Sequence, residues 1–595
     1  MNEDVFEVQD RTAYRYLVQD EEEDEVQYVS HRHYVSPFAV LSKRCIFLIC
    51  VCVFLLLNLA IYLGYKANTP HPAIAQVSTD CGEYQGTYKN GAFSFKGMPY
   101  AAPPVGNLRW APPAKPLCKT KVSDARRFGS MCSQVQPLKS TGKIMGQEDC
   151  LFINVWTPTL QSDAKLPVMV WIHSGYLHML SGGEKTYSPT EKLAADTEIV
   201  YVSFNYRLNA FGFLALEILR EGSPTNTSGN YGFMDQIAAL HWVQRNIHVF
   251  GGDPGKVTIV GHSSGGTSVW TLMMSPLAKG LFHAAVDMSG WSVLNATLKQ
   301  AESANLIFLQ KTGCEDLTCL RHLSVQQVLQ AIPWQEYPFW AADDLTDLPT
   351  KGLFVGPVIV VDGYILQDFP FELWEKGGNY SDVPFIIGTT KQEVDFSPPA
   401  VNISAWTWGD YAWFVTEKLQ SFSEDLAKDA LALYPSSEHC PTRDRCPERA
   451  YTTMVSDLRV TCPNNDLASR AAAALHSPVY RYVVTYTPSR AINVSTSLFW
   501  FPSRFSFHGL DTVAFFRGLE FLLGGSLSNE DKSFQDLITH HLVNFIKKGK
   551  LEDQWPEYPS ATALLSSNLS VVQNYSAERC QLWQQNGLYA YAWIN

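Results

Sequence analysis

Residues Lys256 to Pro276 read KVTIVGHSSGGTSVWTLMMSP, and the fold turns on them. Val257, Ile259 and Val260 have the β-branched character of a short buried strand, and Thr267 to Met274 reads as the helix that follows. Between them, Gly261-His262-Ser263-Ser264-Gly265 fits the pattern G-x-S-x-G. A strand-to-helix turn this tight forces its central residue into strained backbone angles and leaves no room for a Cβ on either side, which glycine satisfies. Ser263 is therefore expected clear of the sheet, with its Oγ at the electropositive N-terminus of the helix. Five positions with three fixed recur by chance, so the motif takes its weight from the flanking strand and helix and from the rest of the chain.

Outward from this stretch, Val168-Met169-Val170-Trp171-Ile172 and Ile199-Val200-Tyr201-Val202-Ser203-Phe204 read as strands buried on both faces. Phe233 to Asn246 places Ile237, Leu240 and Val243 at helical spacing, as an amphipathic helix would. Strands alternating with helices predict an α/β architecture, whose ligands sit at the carboxyl ends of the strands. Ser263 lies at such an end. No internal repeat or second composition shift follows Thr79, so a single large domain is expected to run to Asn595.

The chain has 595 residues, 46% hydrophobic and 17% charged, which is ample for a sizeable core. A formal net charge of −12, with no Lys/Arg run, argues against nucleic acid as a partner. Residues 1–44 are polar and carry Asp20-Glu21-Glu22-Glu23-Asp24-Glu25, the composition of a solvated, disordered tail. Cys45 to Tyr65, CIFLICVCVFLLLNLAIYLGY, holds no charge and is long enough as a helix to cross the roughly 30 Å hydrocarbon layer. It lies too far from the N-terminus, and lacks the cleavage motif, for a removable signal peptide, so a signal-anchor is expected. Arg32, Lys43 and Arg44 precede the span whereas only Lys66 follows closely, which predicts a cytosolic N-terminus.

Two further features agree with a type II layout and an extracellular or luminal body. Every Asn-x-Ser/Thr sequon lies after the span, at Asn226, Asn295, Asn379, Asn402, Asn493, Asn568 and Asn574. Of 13 cysteines, Cys45, Cys50 and Cys52 fall in the span, and the ten beyond it suit an oxidising compartment. Cys45 is a candidate for palmitoylation, with packing against lipid as the plainer reading. Short loops permit Cys132 with Cys150, Cys314 with Cys319 and Cys440 with Cys446, but sequence alone leaves the pairing open. Residues 66–78 read as a Pro/Ala/Thr linker, and 79–595 as the body.

Several spaced blocks carry a more specific resemblance. They are Phe95-Lys96-Gly97-Met98-Pro99-Tyr100-Ala101-Ala102-Pro103-Pro104-Val105-Gly106, Glu148-Asp149-Cys150-Leu151-Phe152-Ile153-Asn154-Val155-Trp156, Asn205-Tyr206-Arg207-Leu208, Asp235-Gln236 through Asn246, and Phe250-Gly251-Gly252-Asp253-Pro254. With the Ser263 turn, these resemble the type-B carboxylesterase/cholinesterase family, in register from about Thr79 to Trp593. The resemblance implies an α/β-hydrolase fold, a large mixed and mostly parallel sheet flanked by helices, and a triad in the order Ser, Glu, His. Gly388-Thr389-Thr390-Lys391-Gln392-Glu393 matches the segment that carries the acid, and His508-Gly509-Leu510-Asp511 the segment that carries the base. Ser263, Glu393 and His508 are then the expected nucleophile, acid and base for cleavage of a small-molecule ester, a reaction that requires no metal or organic cofactor. The resemblance also implies disulfides from Cys132 to Cys150, Cys314 to Cys319 and Cys462 to Cys580, and leaves the pairing of Cys81, Cys118, Cys440 and Cys446 open.

The chain departs from that family at three places. Where its members carry a His-Gly-Gly-Gly type loop, this one has His173-Ser174-Gly175-Tyr176. The expected oxyanion donors are the backbone N–H groups of Gly175, Tyr176 and Ser264, and serine or tyrosine reaches positive φ less easily than glycine, so a donor is expected to shift. Loss of one donor costs about 10²–10³ in kcat, which predicts a weakened enzyme rather than a dead one. His262 stands where cholinesterases have Glu, and is expected to be solvated or packed. The Cys132–Cys150 loop contains no Trp to bind a quaternary ammonium, so choline esters are not the expected substrates. The layout of cytosolic tail, single anchor and external esterase-like domain also resembles neurotactin, which like the neuroligins uses this fold for adhesion. A cell-surface protein partner is therefore the alternative expectation to ester hydrolysis.

Overall fold

The computed structural model describes residues 51–59, 73–136, 142–291, 296–333, 346–352, 359–395, 402–440, 445–492 and 502–593. The apolar runs of the sequence form the middle of a sheet that has 13 strands among these residues. Seven of them position the site: β1 (Phe152–Thr157), β2 (Leu166–Ile172), β3 (Val200–Phe204), β4 (Gly252–His262), β5 (Ala284–Met288), β6 (Phe385–Thr390) and β7 (Val479–Val484). Their order in space is β1-β3-β2-β4-β5-β6-β7, parallel throughout except for the antiparallel β1–β3 pair. Antiparallel strands Gly82–Lys89 and Ala92–Pro99 extend one edge, and Thr562–Leu565 with Leu569–Val572 extend the other. The expected mixed, mostly parallel α/β-hydrolase sheet is thus present.

Register brings the carboxyl ends of the central strands level. Gly261 lies opposite Ile172, His262 opposite Met288, Met288 opposite Gly388, and Gly388 opposite Tyr482. Side chains alternate between the two faces, so Val257 and Ile259 join one apolar core while Val260 joins the other. Helix α1 (Tyr231–Asn246) covers the first face through Phe233, Ile237, Leu240 and Val243. Strand β4 runs through Ser263 into α2 (Ser264–Met274). Further along lie α3 (Cys446–Ser456), a π-helical turn over Asp457–Thr461, α4 (Cys462–Ala474) and the short α5 (Leu510–Phe515). Helix α6 (Asn529–Lys548) covers the second face through Phe534, Ile538, Leu542 and Phe545. A third buried cluster gathers Tyr176, Trp291, Val394, Tyr451, Leu458 and Trp593.

Two expectations change in detail. Helix α1 is buried on most of its circumference, because its polar residues find internal partners. Asp235 accepts two bonds of 2.8 Å from the Arg207 guanidinium, and Gln236 Nε2 donates to Ser268 Oγ at 3.0 Å. Strand Ala73–Thr79 occupies residues read as linker, and the compact body spans Ile74–Asn595. Within the expected membrane span, residues 51–59 are helical and exposed. No helix among the described residues is long and apolar enough to cross a membrane. The acidic tail, Cys45 and Cys50 lie outside the described residues.

All ten cysteines beyond the span are paired. Cys132–Cys150, Cys314–Cys319 and Cys462–Cys580 form as the resemblance implies, and Cys81–Cys118 and Cys440–Cys446 complete the set. Among the sequon asparagines, Asn226, Asn379, Asn402, Asn568 and Asn574 are exposed, while Asn295 and Asn493 lie outside the described residues.

Candidate active site

Ser263 sits between β4 and α2 with φ 57° and ψ −124°, backbone angles that cost a non-glycine residue about 1–3 kcal/mol. Its neighbours explain the turn. A Cβ on Gly261 would lie 2.1 Å from the Gly265 carbonyl oxygen, and one on Gly265 would lie 2.1 Å from that of Ile172. The glycines therefore let helix, strand and the end of β2 approach one another more closely than any side chain permits. Ser263 N donates to Met288 O at 2.8 Å, and Thr267 N to Ser263 O at 3.0 Å, so the strained residue is bonded on both sides. The helix begins at Ser264, earlier than the sequence suggested, and Ser263 is its N-cap.

Glu393 is fully buried and holds three donors. Its Oε1 accepts from Thr390 N at 2.6 Å and Ser289 Oγ at 2.7 Å, and its Oε2 accepts from His508 Nδ1 at 2.6 Å. The loops that bear Glu393 and His508 are tied together. Gln392 and Phe507 form a β-bridge, Gln392 N donates to Ser506 O at 3.0 Å, and Asp395 Oδ2 accepts from Arg504 N and Phe505 N at 2.9 and 2.8 Å. Burial pushes the Asp395 carboxyl up to about 8 and that of Asp287, at the end of β5, up to about 7. Gly509, with φ 83°, starts α5 directly after His508.

His262 is packed, and not solvated. Its Nδ1 bonds the Tyr187 hydroxyl, which in turn lies 3.2 Å from Ser174 Oγ, so the residue before Ser263 is linked to the loop after β2. Its ring centroid is 4.2 Å from that of His508. Burial, and secondarily the charge of His508, hold His262 well below the ordinary imidazole range, so it is neutral. Tyr187 and Ser289 are two residues that sequence reasoning did not single out. Only the register of β5 beside β4 and β6 marks Ser289.

The loop after β2 closes in a tight turn at Gly175. Gly175 has φ 111°, and a Cβ there would meet Met179 O at 2.2 Å. Tyr176 and Leu177 both adopt the left-handed region, with φ 58° and 59°, and their side chains are buried. His178 N and Met179 N donate to Gly175 O at 2.8 and 3.0 Å and close the turn. Among the described residues, the N–H groups of Gly175, Tyr176 and Ser264 have no hydrogen-bond acceptor. Tyr206 buttresses the strand end, donating to His173 O at 2.8 Å and stacking on the His173 ring at 4.4 Å.

Residues 73–583 match the sequence profile of the Carboxylesterase family. The chain belongs to that family. Among relatives of this carboxylesterase-family chain, the para-nitrobenzyl esterase of Bacillus subtilis (strain 168) is 33% identical over 85% of this chain and 97% of its own. Carboxylesterase 1D of Rattus norvegicus is 31% identical over 88% and 94%, and the fumonisin B1 esterase of Sphingopyxis macrogoltabida is 31% identical over 83% and 86%. A solved PNB esterase superposes with TM-score 0.68 at 31% identity, covering 85% of this chain and 99% of its own. The carboxylesterase-family match makes the chain a carboxylic ester hydrolase by class. The blocks that carry the family resemblance have structural work in this body: Arg207 clamps Asp235, and Arg109 clamps Glu148 through bonds of 2.7 and 2.6 Å.

Proposed function

We propose that the protein is a membrane-anchored serine hydrolase that cleaves carboxylic esters through Ser263, with His508 as base and Glu393 as the acid that orients it. Ser263 Oγ attacks the ester carbonyl carbon while His508 Nε2 takes its proton. Glu393, bonded to Nδ1, fixes the imidazole tautomer and stabilises the imidazolium. The N–H groups of Gly175, Tyr176 and Ser264 meet the oxyanion of the tetrahedral intermediate. Collapse breaks the ester C–O bond, His508 returns its proton to the departing alcohol, and the acyl group stays on Ser263. Water then loses a proton to His508 and attacks the acyl carbon, and collapse breaks the bond to Ser263 Oγ, which takes that proton back from His508 as the carboxylic acid leaves.

The observation that carries this reading is the 2.6 Å bond from His508 Nδ1 to a fully buried carboxylate whose other oxygen holds two donors. A bare buried carboxylate would be costly, and this one is oriented on every side toward supporting an imidazolium. Free N–H groups at the start of α2 and in the loop after β2 support the oxyanion role. Exposed sequons and ten paired cysteines support a body on the extracellular or luminal side, with 45–65 as the anchor. The test is covalent labelling of the purified protein with a fluorophosphonate, beside Ser263→Ala and His508→Ala. Labelling lost in both variants is expected. A folded protein that takes no label would favour the adhesion or receptor alternative.

A further inference from the structure

Tyr187 lies between β2 and the helix Glu191–Thr197, in a turn where Tyr187 N donates to Glu184 O at 3.2 Å and Ser188 Oγ donates to the same carbonyl at 2.8 Å. Its side chain is buried and packs edge-on between the ends of two strands. The ring centroid is 5.7 Å from that of Trp171 on β2 and 5.5 Å from that of His262 on β4. Gly509, which follows His508, closes on the same pair. A Cβ there would lie 3.2 Å from His262 Cε1 and 3.6 Å from Tyr187 Cε2. The Ser263 turn and the His508 turn therefore meet at these two rings.

Phenylalanine would keep these ring contacts, so packing alone does not account for the hydroxyl. A buried hydroxyl needs partners, and this one has two: it bonds His262 Nδ1 and lies 3.2 Å from Ser174 Oγ. Carrying one hydrogen, it donates one of these bonds and accepts the other. Among the described residues Ser174 Oγ has no second partner. Ser174 directly precedes Gly175, and His262 stands just before Ser263 and Ser264. The oxyanion donors come from these two separate segments, Gly175 and Tyr176 N–H from one and Ser264 N–H from the other, so their spacing has to be held across the gap. We propose that Tyr187 is a positioning residue of ester hydrolysis, whose hydroxyl bridges Ser174 and His262 and so fixes the spacing of the oxyanion donors. The inference rests on the hydrolase reading above. Misplacement of a reacting group by about 1 Å costs roughly 10²-fold in rate, so a bridge outside the reacting atoms still acts on the transition state.

The full chain, purified in detergent, is assayed on p-nitrophenyl acetate as wild type, Tyr187→Phe, Ser174→Ala and the double variant, with fluorophosphonate labelling alongside. Acylation and deacylation both pass through an oxyanion, so whichever is slower, Tyr187→Phe is expected to lower kcat by about 10- to 100-fold with KM within about twofold. Ser174→Ala is expected to give a similar fall, and the double variant no more than either single one, because all three break one bridge. His262→Asn, whose amide can take the place of Nδ1 in the bridge, is expected to retain more activity than His262→Leu. An unchanged kcat in a folded Tyr187→Phe, or falls that multiply in the double variant, would overturn the inference and leave Tyr187 as packing only. If Tyr187→Phe does not fold, Ser174→Ala decides the matter by kcat against KM. A wild type that takes no label would count against the hydrolase reading itself, and the inference would fall with it.

Discussion

Ser263 and Tyr176 are non-glycine residues held in backbone regions that favour glycine, and each is offset locally. At Tyr176 and Leu177 the left-handed conformation costs about 1–2 kcal/mol per residue, against about 1.5–3 kcal/mol for burying each side chain. Burial wins, which is why a loop short of glycines keeps its turn. The conformational cost is visible in the sequence and the compensating burial is not, because burial of a loop side chain depends on partners such as Trp291 and Val394 that are remote in sequence. Ser289 was illegible for the same reason. Ser289→Ala removes one of the donors to a buried carboxylate, so it is expected to destabilise the fold by about 1.5–3 kcal/mol and to lower kcat with KM little changed. Denaturant unfolding and steady-state kinetics on one ester check both parts.

The strand-turn-helix was the legible element. Its glycines mark where a Cβ has no room, and that is a local property visible in the chain. The pairing of the Glu393 and His508 loops was legible only through family resemblance, since the Gln392–Phe507 bridge joins residues more than a hundred positions apart. Asp395 closes that joint, and it makes the joint sensitive to pH. Burial is the largest cause of its upward displacement, from an ordinary 3.8 to about 8, against which the two backbone N–H bonds act. The folded chain therefore keeps a proton that the unfolded chain loses between those values. Stability is fully present below about 4 and falls as pH rises toward 8. Asp395→Asn should narrow the drop in Tm between pH 5 and pH 8 by a few degrees. Asp287 and Asp511, held at about 7 and about 6, keep part of the slope in the variant. Equal slopes in wild type and variant would show that Asp395 is not the proton-binding group.

For the whole molecule, composition and periodicity pointed to an α/β body, while the burial of α1 on nearly all sides was not legible, because its periodicity marked only Ile237, Leu240 and Val243 and the partners of Asp235 and Gln236 are remote in sequence. Three disulfides followed from resemblance, and the pairing of Cys81 with Cys118 and Cys440 with Cys446 became definite only in three dimensions. Five exposed sequons on a cross-linked body lead to the expectation that glycosidase treatment lowers the apparent mass of protein expressed in a secretory-competent cell. No shift, together with protease accessibility of the body from the cytosol, would contradict the proposed topology. The proposed reaction passes through an acyl-enzyme on one serine, and peptide mapping of the fluorophosphonate adduct by mass spectrometry identifies that serine. A single adduct is expected on the peptide containing Ser263, absent in His508→Ala. An adduct on another residue, or none on the folded protein, would contradict it.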